Sequence, residues 1–329
     1  MPSLSFTVSA LAKVNLYLGV YATKGERGYH RVDSIMAAVG LGDTVTITPE
    51  KELSVTMDPA ANFPMEQNSA WRAAVELGRA YGREPLFDIH IEKHIPIRAG
   101  LGGPSTDAAA TLRGLCAAWD IDIHDERVAA VARSIGADVP FFLYESPAYL
   151  SGAGDVMEET FDALEGVPVA LVRASSKGVT AQEAYRVFDA DPQPVAPIDP
   201  MLEALRAGDE QGVVDALANN LASAAMSIAP EIVDVLAWMR EQPGVRVADV
   251  SGSGSCCFAL CESKEAAQSL ASAASSERGW WSCATQMESL DRISLIASIC
   301  LNLCYYSLAI GLWLSLVEHA FGTQGRWFK

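Results

Sequence analysis

The chain has 329 residues, half of them hydrophobic, and a formal net charge of −17. That length suggests about two domains, and an acidic surface repels polyanions, which argues against nucleic acid as a partner. A small anionic substrate stays compatible with this charge where local cations such as Lys13, Lys93 or Arg98 gather.

The N-terminus carries no charged-then-apolar signal, so secretion is not indicated and a cytoplasmic location is expected. Residues 5–60 read as strands at 6–8, 14–21, 35–39 and 45–48, with turns at 25–28 and 40–43. Helical spacing covers 68–81, and a strand follows at 87–91. Residues 96–107 read Pro-Ile-Arg-Ala-Gly-Leu-Gly-Gly-Pro-Ser-Thr-Asp and open a helix-like run at 108–119 with Ala109, Leu112, Cys116 and Trp119 on one face. A second helix is expected over 125–135, closing at Gly136, and the Pro-rich stretch 191–200 reads as a loop. Helices are then expected at 201–206, 210–225 and 230–242, with Pro230 at a first helical position. Strands at 245–250 and 256–260 flank a Gly-Ser loop, a helix covers 264–274, and a last strand runs over 278–286. This mixture fits an α+β class better than one parallel sheet. The seven cysteines make no C-x-x-C pair and no metal-ligand spacing with histidine, and read as small apolar fillers.

The order strand, glycines, hydroxyls, helix at 87–119 is the layout of a phosphate cradle. Gly100, Gly102 and Gly103 let the backbone approach an anion, and Ser105 and Thr106 stand where a helix N-cap belongs. The chain has no G-x-x-x-x-G-K-[ST], no dinucleotide-type G-x-G-x-x-G at this loop, and no H-R-D or D-F-G segment. Asp138 precedes the apolar run Val139-Pro140-Phe141-Phe142-Leu143, where a carboxylate needs a purpose: a general base, or a cap after Gly136. Lys13 lies in a sheet-like segment and either meets an anion or points outward; Asn15 shares its strand face. Tyr29 and His30 follow a turn glycine and offer two rings that can grip a flat base.

Four ordered segments carry a family resemblance across about residues 5–287: Lys13-Val14-Asn15-Leu16 with Gly28-Tyr29-His30, the loop 96–107, Gly136-Ala137-Asp138-Val139-Pro140-Phe141-Phe142, and Gly252-Ser253-Gly254-Ser255. Together they resemble the GHMP kinase superfamily. Within it they look like the branch that phosphorylates the 2-hydroxyl of 4-diphosphocytidyl-2-C-methyl-D-erythritol in the methylerythritol phosphate route of isoprenoid biosynthesis. The resemblance implies a ribosomal-protein-S5-domain-2-like ATP-binding domain at 1–159 and a ferredoxin-like domain at 160–288, with ATP and Mg²⁺ at the cleft between them. It implies Lys13 and Asp138 as catalytic residues. Pro96, Ile97, Arg98, Ala99, Gly100, Leu101, Gly102, Gly103, Pro104, Ser105 and Thr106 would bind ATP, with Ser105 also as a Mg²⁺ ligand. Asn15, Tyr29, His30 and Tyr185 would bind the cytidyl substrate, and Gly252, Ser253 and Gly254 would back the phosphate loop. A homoserine- or mevalonate-type kinase and a non-catalytic nucleotide-binding relative stand as alternatives. Two departures from the family pattern are Pro104, where glycine is usual, and Arg27, where an acidic residue is usual.

The end of the chain, 289–329, lies beyond the resemblance. Residues 293–317 are uncharged and, as a helix, would span about 37 Å, enough to cross a hydrocarbon core of about 30 Å. Asn302 and four serines dilute that hydrophobicity. The readings are a membrane helix at 293–317, a helix buried against the body or in a homodimer, or an aberrant tail.

Overall fold

The computed structural model describes residues 4–25, 28–60, 62–144, 146–174, 177–289 and 295–299. Its spine is a long antiparallel hairpin of β1 (Leu4–Lys24) and β2 (His30–Pro49). Along the first half of β1 the burial alternates at Phe6, Val8 and Ala10, as one covered face requires. From Ala12 to Val20 every residue is buried, because both faces of the strand are covered there. That double covering is what places Lys13 and Asn15 inside the protein.

Next come β3 (Ser54–Asp58), α1 (Ser69–Tyr81), β4 (Phe87–Glu92), α2 (Gly103–Trp119) and α3 (Glu126–Ile135). They are followed by β5 (Ala148–Ser151), β6 (Val156–Thr160), β7 (Pro168–Arg173), α4 (Ala181–Ala190), α5 (Asp199–Ala207) and α6 (Glu210–Asp215). The remainder is β8 (Ala218–Asn219), α7 (Ala222–Ile228), α8 (Glu231–Arg240), β9 (Val245–Val250), β10 (Cys257–Cys261), α9 (Lys264–Arg278), β11 (Trp281–Glu288) and β12 (Leu295–Ile299).

The strands follow the path β12-β1-β2-β11-β7-β10-β9, with β4, β5 and β8 attached to the hairpin, β3 to β4 and β6 to β5. The named pairs are antiparallel except β3 with β4 and β1 with β8. The α+β expectation therefore holds. β11 stitches the halves together: Met287 and Glu288 pair with Val39 and Ala38, while Trp281 to Gln286 pair with β7. One apolar core lies under α1, α2 and α3, and a second lies against α4, α7, α8 and α9. A third joins Ala12, Val14 and Leu16 to Leu171, Met201 and Phe258, so the connection between the halves is itself packed.

Several local expectations differ. The expected turn at 40–43 is strand, with a register shift opposite Leu11 and Ala12. The expected helix over 210–225 breaks after α6, because Asn219 and Asn220 use their side chains on distant backbone. Asn219 donates to Val250 O and Gly252 O, and Asn220 pairs with both N and O of Val20. Such side-chain-to-backbone bonds compete with helix. Pro200 lies in the first turn of α5 instead of a loop, and Pro230 caps α8 one position before its first helical residue. The elements β3, β5, β6, β7 and α4 were not read from the sequence. In the tail, Leu295–Ile299 is a strand paired with Leu4 to Val8 and not helix, while 293–294 and 300–317 of the expected helix lie outside the described residues, as does Arg27. Among the described residues no helix is long and apolar enough to cross a membrane.

Candidate active site

The loop between β4 and α2 is shaped by its contacts with a second loop. At Gly100, with φ +76°, an added Cβ would sit 2.1 Å from Ser251 O, so only glycine allows the two loops to touch. Ser251 Oγ donates to Gly100 O at 3.0 Å, and Cys256 N donates to Ala99 O at 3.0 Å. Ala99 and Leu101 are buried, and Leu101 O accepts from Lys13 N at 3.1 Å. The loop is thus clamped between β1 and the turn at 251–254, before any ligand arrives.

The cap differs from the sequence expectation. Gly102, left-handed at φ +77°, is the N-cap of α2 and makes no side-chain cap, so Ser105 and Thr106 lie inside the first turn. Their amides both bond Gly102 O at 2.9 Å. Pro104 occupies that same turn, where a helix tolerates a missing N–H. The positive end of the helix dipole remains aimed at the loop.

Lys13 is 4% exposed. Its Nζ donates to Asn15 Oδ1 at 2.5 Å and lies 3.5 Å from Asp138 Oδ2, and Asn15 Nδ2 in turn donates to Ser34 Oγ at 2.9 Å. Asp138 follows the end of α3, and just beyond it Phe141 and Phe142 are fully buried in the short 3₁₀ turn Pro140–Leu143. Each buried ring contributes about 1.5–3 kcal/mol, which anchors the carboxylate from behind. Its side chain is 36% exposed, so one face stays open. Gly252, at φ +55°, packs so closely that a Cβ there would be 3.1 Å from both Lys13 Nζ and Asn15 Oδ1. Asn219 holds Gly252 O from the other side. Ser34 and Asn219 were not foreseen, and neither has a local sequence signal; only the strand register and a long-range contact reveal them.

Lys13, Asn15, Ser34, Asp138 and Gly252 line a cleft of about 280 Å³ that also receives Gly102, Ser105, Ser253 and Tyr185. A second cleft of about 320 Å³ lies across the loop, lined by Lys93, Pro96, Ile97, Gly103, Pro104 and Ser105 together with Asn68, Ser69 and Arg72 at the start of α1. A wider hollow of about 730 Å³ shares Lys93, Ile95, Pro96 and Ile97 with it and continues past Phe63 and Trp281. Ser105 lines both of the smaller clefts. Ile97 is 64% exposed and offers an apolar surface there; Arg98 is exposed, with its carbonyl accepting from Val179 N.

Lys93 is buried between two carboxylates, Asp43 and Asp107, and donates to both. Asp43 also accepts from His94 N and Ile95 N, which fixes the start of the loop. Burial pushes the Asp107 carboxyl up, against the pull of Lys93, and its Oδ1 has no hydrogen-bond partner among the described residues.

The residues expected to hold the substrate separate into two groups. Asn15 and Tyr185 line the first cleft, whereas Tyr29 is 64% exposed and does not line it. His30 is buried and stacks on Tyr185, with ring centroids 5.4 Å apart and planes at 14°. Burial also raises the Tyr185 phenol.

A helix start flanked by two clefts, with a lysine–carboxylate pair in one of them, suits an ATP-dependent small-molecule kinase. Comparison with known proteins agrees. The models for the GHMP kinases N terminal domain and GHMP kinases C terminal match residues 68–146 and 201–279. A 4-diphosphocytidyl-2-C-methyl-D-erythritol kinase of Nocardioides sp. is 39% identical over 273 residues, which is 80% of this chain and 90% of that protein. A crystal structure of a 4-(cytidine 5'-diphospho)-2C-methyl-D-erythritol kinase matches with TM-score 0.68 and 33% identity, covering 86% of this chain and 99% of that one. A homoserine kinase from Cytophaga hutchinsonii matches with TM-score 0.69 but 18% identity, covering 89% and 97%, and so shows the fold alone. The chain belongs to the GHMP kinase family, in its 4-diphosphocytidyl-2-C-methyl-D-erythritol kinase branch.

Proposed function

We propose that this chain transfers the γ-phosphoryl group of ATP to the 2-hydroxyl of 4-diphosphocytidyl-2-C-methyl-D-erythritol, in the cytoplasm, as a step of the methylerythritol phosphate route. The observation that carries the reading is Ser105 at the start of α2, shared by the two clefts. ATP lies in the cleft of Lys93, Pro96 and Ile97, with its phosphates over the residues 96–106. The acceptor alcohol lies in the cleft of Lys13, Asn15 and Asp138. The phosphoryl group then has only the helix start to cross, in line between the two.

On the acceptor side Asp138 takes the hydroxyl proton, and Lys13 steadies the alkoxide-like charge as it develops. Asn15 and Ser34 fix the ammonium so that it does not reorganise during transfer. Gly252, Ser253 and Gly254 close the back of the cleft. Tyr29, His30 and Tyr185 receive the cytidyl end. The Ser105 hydroxyl suits a hard cation, and among the described residues no group of three or more His, Cys, Asp or Glu is arranged around a metal. Mg²⁺ bound there with ATP, mostly through phosphate oxygens and water, would neutralise phosphate charge. The same reading divides the chain into an ATP-binding half at 1–159 and a second half at 160–288. For the tail beyond the strand Leu295–Ile299 we propose contact with a membrane or with a second copy, which vesicle flotation and light scattering of the full chain tell apart.

A coupled ADP-release assay tests the reaction. Turnover with the cytidyl substrate, and none with homoserine or mevalonate, is the expected result. Turnover with either of the latter moves the chain to another branch, and ADP release with none of the three leaves a nucleotide-binding protein without this activity.

A further inference from the structure

The His30 ring is held from several sides. Its Nδ1 lies 2.7 Å from Tyr21 O, and its Nε2 lies 2.8 Å from Asp189 Oδ1. The Asp189 contact is an ion-pair distance without an aligned hydrogen bond among the described residues. One face stacks on Tyr185, and Phe188 meets the ring edge-on with centroids 5.7 Å apart. The other oxygen of Asp189 accepts from Lys24 Nζ at 2.9 Å. A carbonyl faces one ring nitrogen and a carboxylate the other, and both groups only accept.

Two consequences follow from this geometry. Both ring nitrogens of His30 face protein oxygens, Tyr21 O and Asp189 Oδ1, so the ring serves as a wall and not as a reader of the base edge. That wall also has its other half, Tyr185, on α4, while His30 itself is the first residue of β2. Tyr185 lines the acceptor cleft. The link between the two elements is Asp189, which lies on the same helix as Tyr185, one turn further on, and takes both His30 and Lys24 of the hairpin.

We propose that Asp189 is a positioning residue for the substrate: by holding His30 and Lys24 it fixes the His30–Tyr185 stack at the acceptor cleft and ties α4 to the β1–β2 hairpin. This rests on the reading of the cytidyl substrate given above. Asp189 lines neither of the two clefts. Its loss therefore acts on substrate affinity and leaves the chemical step alone.

The test is steady-state kinetics of Asp189→Ala and Asp189→Asn, with Asp189→Glu as the conservative variant. Removing the carboxylate is expected to raise KM for the cytidyl substrate roughly tenfold, the scale of one charge-assisted contact. kcat and KM for ATP should stay within about twofold, and Asp189→Glu should recover most of the affinity. An unchanged KM for the cytidyl substrate overturns the proposal. So does an equal rise in both KM values, or a fall in kcat of the same size, because either means general loosening. Wild-type turnover keeps the functional reading whatever the variants do; a wild type inert toward the cytidyl substrate ends both.

Discussion

Two lysines flank the loop 96–107, and they are held in opposite ways. Lys93 sits between Asp43 and Asp107, whose side chains are 0% and 5% exposed. Lys13 shares its ammonium between Asn15 and Asp138, and the Asp138 side chain is 36% exposed at 3.5 Å. The first arrangement is closed: the ammonium has two buried carboxylates, and Asp43 also binds the loop backbone. The second is open, with a carboxylate that faces the cleft and keeps room for a proton and a substrate oxygen. A lysine–carboxylate pair beside an active site is therefore not evidence of catalysis by itself. An accessible carboxylate is what the pair we propose as reacting has and the buried pair lacks.

Changing the open pair should strike chemistry. Asp138→Asn keeps the shape and removes the proton acceptor, so kcat is expected to fall about 10²–10⁴-fold, with KM for ATP nearly unchanged in the ADP-release assay. Wild-type turnover in this variant would remove Asp138 from the mechanism. Changing the closed pair should strike stability instead. Lys93→Met leaves two buried carboxylates without their cation, and breaking such an arrangement costs about 3–5 kcal/mol. Urea unfolding measures it, and a loss below about 1 kcal/mol would mean that water or a rearranged side chain already serves those carboxylates.

The closed pair also predicts a pH dependence whose sign can be checked. Burial raises the Asp107 pKa from 3.8 to about 7. A carboxyl with a raised pKa binds more protons in the folded state than in the unfolded one. Its contribution to stability is complete below the unfolded value and is lost as pH rises through the folded one. Between about pH 4 and 7 the wild type should therefore lose stability relative to Asp107→Asn. Unfolding curves at pH 5 and pH 7 decide it; a constant difference between the two proteins would show that Asp107 stays ionised throughout.

The open and closed pairs were not equally legible in the sequence. The loop 96–107 and Asp138 announce themselves locally, by glycine spacing and by a carboxylate at the head of an apolar run. The burial of Lys13 required knowing that β1 is covered on both faces between Ala12 and Val20, which alternation alone does not reveal. The closed pair is assembled from distant parts, since Asp43 and Lys93 are 50 residues apart, and only Lys93 was singled out, as a loose cation. The break after α6 has the same origin: Asn220 turns its side chain to Val20, 200 residues away. The helix start at Gly103 was misplaced because the pattern of apolar residues begins later than the backbone does. Local chemistry is readable from the chain; partners supplied by the topology are not.

The smallest expected effect concerns Pro104. It sits in the first turn of α2, and its carbonyl accepts from Ser69 Oγ at 2.5 Å, so the fold already accommodates the ring. What the proline removes is an amide at the cleft we assign to the nucleotide. Pro104→Gly should supply that donor and tighten ATP binding by about 1 kcal/mol, roughly fivefold in affinity. Against this stands the freer unfolded chain, which lowers stability by about 0.4–1 kcal/mol without acting on bound ATP. The two effects are read by different measurements, nucleotide titration and thermal unfolding, and so do not mask each other. Tighter ATP with a lower midpoint is the expected pair of results. Weaker ATP binding in the glycine variant would mean that the proline preorganises the helix start, and that the rigidity of the closed side extends into the phosphate loop itself.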